Sequence, residues 1–307
     1  MRDRCVELLT PSILASSHPV VVDATLGLGG HTEALLERFE NLTVIGIDRD
    51  MDALDKARTR LAPFGDRFKS AHSVFDHFNE VLKGFGFSEI NGALFDLGVS
   101  SMQLDESERG FSYSHEAPLD MRMDQSRGIT AGEILNTYEP GELVRILRVY
   151  GEEKFATRIV ENVVKARAIA PLTSTVALAT LVKESIPAAT RRTGGNPAKR
   201  TFQALRIAVN DELGAIERAI PQALERVVVG GRVVVMSFQS LEDKIVKEKF
   251  ADASTSKSPR ELPIELPEYA AKFKLVFNSS EKPSSQEIEE NSRAASVRLR
   301  AIERVAA

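Results

Sequence analysis

The chain has little of what several classes of protein require. Among its 307 residues there is no tryptophan and one cysteine, Cys5, so neither an intramolecular disulfide nor a cysteine-based zinc site can form. Cys5 falls within the apolar pattern of a first helix, and we expect it to pack rather than react. No apolar run is long enough to cross a bilayer and no secretory signal opens the sequence, so we expect a cytoplasmic protein that does not associate with membranes.

Metal-ligand spacing is also missing from the sequence. No cluster of histidine, aspartate and glutamate stands out at the spacing of a metal site. We therefore predict that the chemistry uses no metal.

Charge is distributed unevenly along the chain. The net charge is −4, but residues 141–210 hold 12 Lys and Arg against 5 Asp and Glu, which leaves +7 there and −11 elsewhere. This surplus suggests a polyanionic partner, although amphipathic helices with basic solvated faces would give the same count. Residues 191–200 contain glycines and a proline that argue against a regular helix, and four cations there could clamp phosphates: Arg191, Arg192, Lys199 and Arg200.

The most informative segment is an apolar run that stops in glycines and restarts with helical spacing. Residues 20–25 predict a strand, and 32–36 predict the helix that follows a tight loop. Gly27 and Gly29 allow positive φ, and the helix start offers N–H groups and the positive end of a dipole. We expect a polar or anionic ligand at this loop, although an ordinary buried glycine turn would look the same.

The details of the loop discriminate between ligands. A dinucleotide fingerprint needs a third glycine where this chain has Thr32, which argues against an NAD-dependent dehydrogenase. Asp23 precedes the glycines, where it would repel a diphosphate but suit the cationic amino group of S-adenosylmethionine. Asp48 ends a second predicted strand and is placed as an acceptor for ribose hydroxyls.

Strand and helix patterns alternate outside one central block. Strand patterns occur at 20–25, 42–48, 66–72, 92–97, 232–238, 273–277 and 296–302, with a glycine turn at 230–231 and a loose loop over 251–268. Over residues 105–210, helical spacing replaces the strand patterns. We predict a doubly wound α/β sheet built from residues 1–104 and 211–307, with an inserted all-α domain over 105–210.

Carboxylates are expected at three strand ends of this sheet. Asp23, Asp48 and Asp96 each close a predicted strand, and the carboxyl ends of parallel strands face one crevice. Residues 97–105, which follow Asp96, include small and hydroxylated side chains that leave room for a second substrate.

Several motifs resemble those of the bacterial 16S ribosomal RNA cytosine-N4 methyltransferase family, the MraW or RsmH type. They run nearly from end to end of the chain, at 23–32, 46–50, 96–105, 109–112, 118–124, 150–156, 200–210 and 237–243. The strings Leu-Asp-Met-Arg-Met at 119–123 and Arg-Thr-Phe-Gln-Ala at 200–204 are the most specific.

The resemblance implies a class I methyltransferase fold, S-adenosylmethionine as cofactor, and a set of site residues. The expected cofactor residues are Asp23, Gly27, Gly29, Gly30, His31, Asp48, Phe75, Asp96 and Gln103. Phe75 is expected beside the adenine and Gln103 near the amino-acid part, although a core phenylalanine and a plain polar loop residue are the ordinary alternatives.

The implied reaction adds a methyl group to the exocyclic amine of cytosine, a weak nucleophile. An acceptor on the N4–H groups would localise the lone pair, and we expect Asp96 in that role, with Ser100 and Ser101 shaping the pocket. The Asp-Leu-Gly-Val-Ser-Ser string differs from the Asp-Pro-Pro-Tyr type of other amino-methylating enzymes. Asp120, Arg122 and Asp124 are further candidates, for which a salt-bridged turn is the alternative.

The implied partner is 16S ribosomal RNA or the small ribosomal subunit, held by the basic insert. A non-catalytic RNA-binding assembly factor remains the alternative, and a homodimer is left open. Relatives carry a His-x-Pro-Val segment before the first helix, so we expect that a few residues precede Met1. Gln239, where many relatives have histidine, argues against an imidazole base at that position.

Overall fold

A computed structural model describes residues 1–188, 196–259 and 269–307, with the backbone but not the side chain of Ser101. The chain forms two compact units, one of Met1–Gly98 with Leu213–Ala307 and one of Val99–Glu212. The sequence places the ends of the helical segment at 105 and 210. The earlier start at 99 has a physical reason, since Val99 packs against the apolar cluster of the helical unit.

The first unit contains a seven-stranded sheet. Its strands are β1 Val20–Asp23, β2 Thr43–Asp48, β3 Phe68–His72, β4 Ile90–Asp96, β5 Val227–Ser237, β6 Phe273–Leu275 and β7 Arg298–Arg304. Its helices are α1 Arg2–Leu14, α2 Gly30–Arg38, α3 Met51–Leu61, α4 Phe78–Gly84, α11 Glu212–Arg226, α12 Ser240–Ala253 and α13 Ser285–Glu290, numbered in chain order with α5–α10 in the second unit.

The strand order is β3-β2-β1-β4-β5-β7-β6. The first five strands pair in parallel, while β7 pairs antiparallel with both β5 and β6. The order reverses between β1 and β4, which is the position where a doubly wound sheet binds ligands. The predicted α/β sheet with an all-α insertion is confirmed.

Successive side chains of the central strands belong to two different apolar layers, because successive residues of a strand point to opposite faces of the sheet. Val20 and Val22 pack with α4, α11 and α12, whereas Val21 packs with α1, α2 and α3. Helices therefore cover both faces, which explains why the strands are near-continuous apolar runs rather than alternating ones.

The prediction of a glycine turn before the fifth strand is wrong. Gly230 and Gly231 lie inside β5, where Gly230 has φ +81° and the pairing with β4 shifts register between Ile90 and Gly92. A glycine in a strand interior commonly marks such an irregularity, and here it lets one long strand replace a turn and a shorter strand.

The second unit is helical. Its helices are α5 Ser101–Asp105, α6 Ala131–Thr137, α7 Pro140–Gly151, α8 Ala156–Arg167, α9 Thr175–Ser185 and α10 Lys199–Asn210. Local signals fix their ends: Thr130 and Glu133 form a capping box at α6, Pro140 opens α7, and Glu152 ends α7 with φ +49°.

Within the described ranges, none of the helices combines the length and the apolar character that crossing a membrane requires.

Two glycines of α7 should respond oppositely to alanine. A Cβ at Gly151 would lie 2.6 Å from the Arg200 carbonyl oxygen on α10, whereas one at Gly141 meets nothing within 4 Å. We expect G151A to lower the free energy of unfolding by about 1–3 kcal/mol, because the backbones of α7 and α10 must separate. G141A, the matched control, should be neutral or stabilising by up to about 1 kcal/mol. Urea unfolding of both variants measures this, and equal stability of the two would contradict the packing described.

Candidate active site at the carboxyl edge of the sheet

Three strands end in a carboxylate at the same edge of the sheet. Asp23, Asp48 and Asp96 are the last residues of β1, β2 and β4, which are neighbours and parallel. The expectation that these strands close with acids at one edge is therefore met by the backbone geometry.

The glycine loop after β1 is held by its neighbour β2. The Leu26 N–H donates to the Ile47 carbonyl at 2.9 Å, and the Gly27 N–H donates to Asp48 Oδ2 at 2.7 Å. Gly27 has φ +51°, and a Cβ there would find no atom closer than 4.0 Å. The backbone at Gly27 can consequently be approached closely by a ligand.

Gly29 and Gly30 start the next helix. Gly29 is the N-cap of α2 with φ +78°, and a Cβ there would lie 2.9 Å from Leu61 Cδ1. Gly29 is thus required by both its backbone conformation and the packing of α3. Gly30 and His31 are the first two residues of α2, where backbone N–H groups have no partner within the helix.

Asp23 is buried, with 1% of its surface exposed. Its Oδ2 accepts a hydrogen bond from the Thr32 hydroxyl at 2.8 Å, and burial raises the pKa of Asp23 to about 6. Thr32, which the sequence shows only as a missing glycine, therefore anchors Asp23. Contact between Asp23 and a cofactor amino group stays a prediction.

Asp48 is bonded to backbone through both oxygens. Besides the Gly27 N–H, it accepts the Asp50 N–H on Oδ1 at 2.9 Å, and burial raises its pKa. Each carboxylate oxygen can accept more than one hydrogen bond, so Asp48 retains capacity for ribose hydroxyls. Ribose binding by Asp48 is still a prediction.

Phe75 follows β3 and is partly buried. Its ring meets that of Phe95 edge-on, with centroids 5.9 Å apart, and packs on the apolar layer under the sheet. The contact with Phe95 covers only part of the Phe75 ring, which stays partly exposed. Its placement beside an adenine remains a prediction.

Asp96 and His31 carry unpartnered polar atoms. Among the described residues, Asp96 Oδ1 and His31 Nε2 are buried without a hydrogen-bond partner. The distance from His31 Nδ1 to Asp96 Oδ2 is 3.9 Å, too long for a hydrogen bond. Buried polar groups in native proteins nearly always have partners, so these two atoms are available to bond a ligand or an ordered water.

The surroundings of Asp96 and His31 disfavour the charged form of each side chain. Burial, followed by Asp23 and Glu242, raises the pKa of Asp96 to about 7. Burial lowers the pKa of His31 to about 4, so its imidazole is uncharged at neutral pH. A carboxylate that ionises close to neutral pH is suited to accept and release protons.

Two residues that act on Asp96, Thr25 through a hydrogen bond and Glu242 through its charge, are not predictable from the sequence. The Thr25 hydroxyl accepts the Asp96 N–H at 2.6 Å and so fixes the end of β4. Glu242, fully buried at the start of α12, accepts the N–H groups of Phe238 and Gln239 at 2.8 and 3.1 Å. The Gln239 side-chain amide also donates to Glu242, at 3.0 Å, and this bond gives Gln239 a structural role.

Ser100 and Gln103 belong to the helical unit and bond to each other. Ser100 Oγ accepts the Gln103 N–H at 3.2 Å, and Gln103 Oε1 accepts the Ser100 N–H at 3.1 Å, which forms a capping box on α5. Gln103 is 4% exposed. The side chain of Ser101 lies outside the described residues, so its predicted role and that of Ser100 stay predictions.

The Asp120 to Asp124 segment forms a salt-bridged turn. Arg122 donates through Nε and Nη2 to the two oxygens of Asp120, each at 2.8 Å, while Asp124 Oδ2 accepts from Arg127 at 2.7 Å. These bonds favour the structural alternative for the three further candidates.

Lys199 and Arg200 are exposed on the first turn of α10, so the expectation that residues 191–200 exclude a helix is wrong for these two. Pro197 precedes the helix and therefore does not interrupt it. Arg200 Nη1 donates to the Glu152 carbonyl at 3.1 Å. Arg191 and Arg192 lie outside the described residues.

Across the described residues there is no group of three or more His, Cys, Asp or Glu side chains arranged to hold a metal ion.

Burial of Asp96 should make stability depend on pH. Because folding raises its pKa from 3.8 to about 7, stability contributed by protonated Asp96 is complete below about pH 4 and is lost as the pH rises to about 7. We expect D96N to melt at a higher temperature than the parent at pH 8, by roughly 3 °C or more. The difference should shrink toward pH 4.

Thermal unfolding at pH 4.5, 6 and 8 measures this dependence. Exposed Asp66 provides the control, and D66N should follow the parent at every pH. A D96N melting temperature that tracks the parent across the range would contradict the raised pKa of Asp96.

Comparison with known proteins adds an independent line of evidence. A family profile described as "MraW methylase family" matches residues 1–305. "Ribosomal RNA small subunit methyltransferase H" of Renibacterium salmoninarum is 56% identical over 309 residues, which cover 99% of this chain and 93% of that protein. The protein of the same name from Saccharopolyspora erythraea is 55% identical over 305 residues, covering 99% of this chain and 92% of its own length.

A crystal structure of a Streptococcus mutans methyltransferase in complex with SAH covers 99% of this chain and 94% of its own, with 14% identity and a TM-score of 0.41. The profile spans both parts of the sheet and the inserted helical unit, and the relatives match along almost their whole length. The chain therefore belongs to the MraW methylase family.

Proposed function

We propose that this protein transfers a methyl group from S-adenosylmethionine to N4 of a cytidine in 16S ribosomal RNA, in the cytoplasm. The profile that the chain matches at residues 1–305 is that of a methylase family, which fits S-adenosylmethionine as the methyl donor. The relatives' name, ribosomal RNA small subunit methyltransferase H, supports the RNA substrate. Asp96 is chosen as the reacting residue on one observation. Among the described residues, its Oδ1 atom at the end of β4 is buried and has no hydrogen-bond partner.

The residues of the sheet edge suit the cofactor. The open space over Gly27 admits a ligand against the backbone, and Asp48 retains lone pairs for ribose hydroxyls. The partly exposed ring of Phe75 can cover an adenine, and His31 and Asp96 offer polar atoms that need partners. Gln103 is assigned to the amino-acid part of the cofactor.

S-adenosylmethionine, when bound, would supply an electrophilic methyl group for the N4 lone pair, with S-adenosylhomocysteine as the leaving group. Asp96 accepts hydrogen bonds from N4–H, which localises the lone pair that the ring otherwise delocalises. The carboxylate also stabilises the positive charge that develops on N4, and it can take up the proton that leaves. Ser100 and Ser101 shape the pocket for the base, and no metal is assigned a part.

The helical unit is assigned to the RNA. Lys199 and Arg200 are exposed cations at the start of α10, and Arg191 and Arg192 precede them in the sequence. The surplus of +7 over residues 141–210 fits contact with phosphates, which position an RNA without reading its sequence.

Removal of the Asp96 charge should strongly reduce turnover while leaving cofactor binding nearly intact. We expect D96N to lower kcat by about 100- to 1000-fold, the usual effect of losing one transition-state contact, with the Kd for S-adenosylmethionine within a few-fold of the parent. Labelled cofactor and small ribosomal subunits that lack the modification measure both quantities, and D66N is the control.

Nucleoside analysis of the labelled RNA then locates the methyl group. Label on N4-methylcytidine supports the assignment, whereas label on another atom contradicts it. RNA binding without any methyl transfer by the parent protein would favour the alternative, a non-catalytic assembly factor. Full activity of D96N would remove Asp96 from the reaction.

The pH profile should identify the same group. The ratio kcat/KM for S-adenosylmethionine reports the enzyme without bound cofactor. This ratio should therefore rise with pH and level off above about 7, the pKa of Asp96. In the complex a sulfonium cation nearby lowers that pKa, so the kcat profile should level off at a lower pH. Identical inflections in the two profiles would contradict a carboxylate next to the cofactor.

Exposed cations on α10 provide a separate test of RNA binding. We expect K199A to weaken binding to small ribosomal subunits several-fold and to reduce the salt dependence of log Kd, as loss of one phosphate contact does. K183A, an exposed lysine on α9, is the control. Equal behaviour of K199A and the parent at low and high salt would contradict this contact.

A further inference from the structure

A cavity of about 230 Å³ lies in the sheet unit beside the carboxyl end of β5, and the reaction proposed above leaves it without a role. Two segments contribute its lining, residues 238–240 and residues 295–298, together with Lys282. The cavity is close to the reacting edge. Asp96 pairs in register with Met236, two residues before Phe238, and a Cβ on Gly98 would lie 3.9 Å from the Phe238 ring.

The lining carries positive charge and no acid. Its charged residues are Lys282 and Arg298, both exposed. Arg298 and Arg300 share the single carboxylate of Asp243, at 2.9 and 2.7 Å, so among the described residues one of their two positive charges has no counter-charge. No ion pair of Lys282 is found within the part of the chain that the structure describes, and its neighbour Glu281 is bound to Arg4 at 2.8 Å.

The remaining polar groups of the lining are neutral. They belong to Gln239, Ser240 and Ser296, and Ser240 is the first residue of the 14-residue helix α12. The start of a helix carries the positive end of its dipole and favours an anion. Glu242 lies on the same turn but is fully buried and is bonded to the Phe238 and Gln239 backbone.

We propose that this cavity binds a phosphate of the RNA backbone close to the nucleotide that is methylated. The inference rests on the proposed RNA substrate and adds a contact outside the helical insert. Lysine, arginine, serine and helix N-termini are the groups that usually bind nucleic-acid phosphates. The volume accommodates a phosphate together with part of its ribose, and the position beside Asp96 lets the contact fix the strand whose base is presented for reaction.

The test compares two variants of Lys282 with a matched control. K282A removes one cation and K282E reverses it, and neither breaks an ion pair within the described residues. Lys274 is an exposed lysine on β6, five residues from Arg298 along the strand register, or about 17 Å away at 3.4 Å per residue, and K274A is the control.

Binding of small ribosomal subunits that lack the modification is measured as a function of salt concentration. We expect K282A to raise the Kd by roughly three- to tenfold and to reduce the slope of log Kd against log salt by about 0.7–0.9, the effect of one lost phosphate contact. K282E should weaken binding further. The Kd for S-adenosylmethionine should match the parent, because Lys282 is assigned to the RNA and not to the cofactor.

A K282E protein that binds subunits with the parent's affinity and salt slope would overturn the proposal. An equal loss in K274A would also overturn it, since the effect would then follow net charge rather than the cavity. Binding is measured without turnover, so the two proposals fail separately. Dependence on Lys282 in a protein that methylates nothing would support the cavity and reject the reaction.

Discussion

Side-chain oxygens that bond the backbone beyond the strand ends hold the candidate site together. Where parallel strands finish, their last N–H and C=O groups lose the partners that the sheet supplies, and each needs another. Thr25 accepts the Asp96 N–H at 2.6 Å and Asp48 accepts the Gly27 N–H at 2.7 Å. The Thr32 hydroxyl donates to Asp23 in turn, at 2.8 Å. The positions of the glycine loop and of the reacting carboxylate follow from these bonds.

The same bonds leave one carboxylate less satisfied than the others. Asp23 and Asp48 receive hydrogen bonds, which favour their ionised forms against burial, whereas Asp96 Oδ1 has no partner among the described residues. Glu242, buried on the adjacent helix, adds repulsion. The sheet therefore tolerates an electrostatic cost at one position. Strain and unsatisfied groups of this kind concentrate at functional sites because the surrounding structure is stable enough to hold them.

Sequence reasoning reaches the sheet more easily than the site. The central strands β1, β2 and β4 are predictable from their apolar runs, because burial on both faces leaves few polar interruptions, as in Val20–Asp23. Gly230 misled, since one glycine serves equally in a turn and in an irregular strand. Thr25, Thr32 and Glu242 were missed because their roles depend on atoms distant in sequence. Lys199 was placed in a loop because Pro197 breaks a helix but also precedes one.

The helical unit interrupts the sheet unit between β4 and β5, which are hydrogen-bonded neighbours at the centre of the sheet. During synthesis the ribosome releases β1–β4 first, and residues 99–212 must follow before β5 can pair. For that interval the β4 edge, with buried Leu94 and Phe95, lacks its partner strand. Long-range pairing of this kind slows folding and exposes an edge to aggregation. Early collapse of the insert into its own core would shorten the distance that β5 must search.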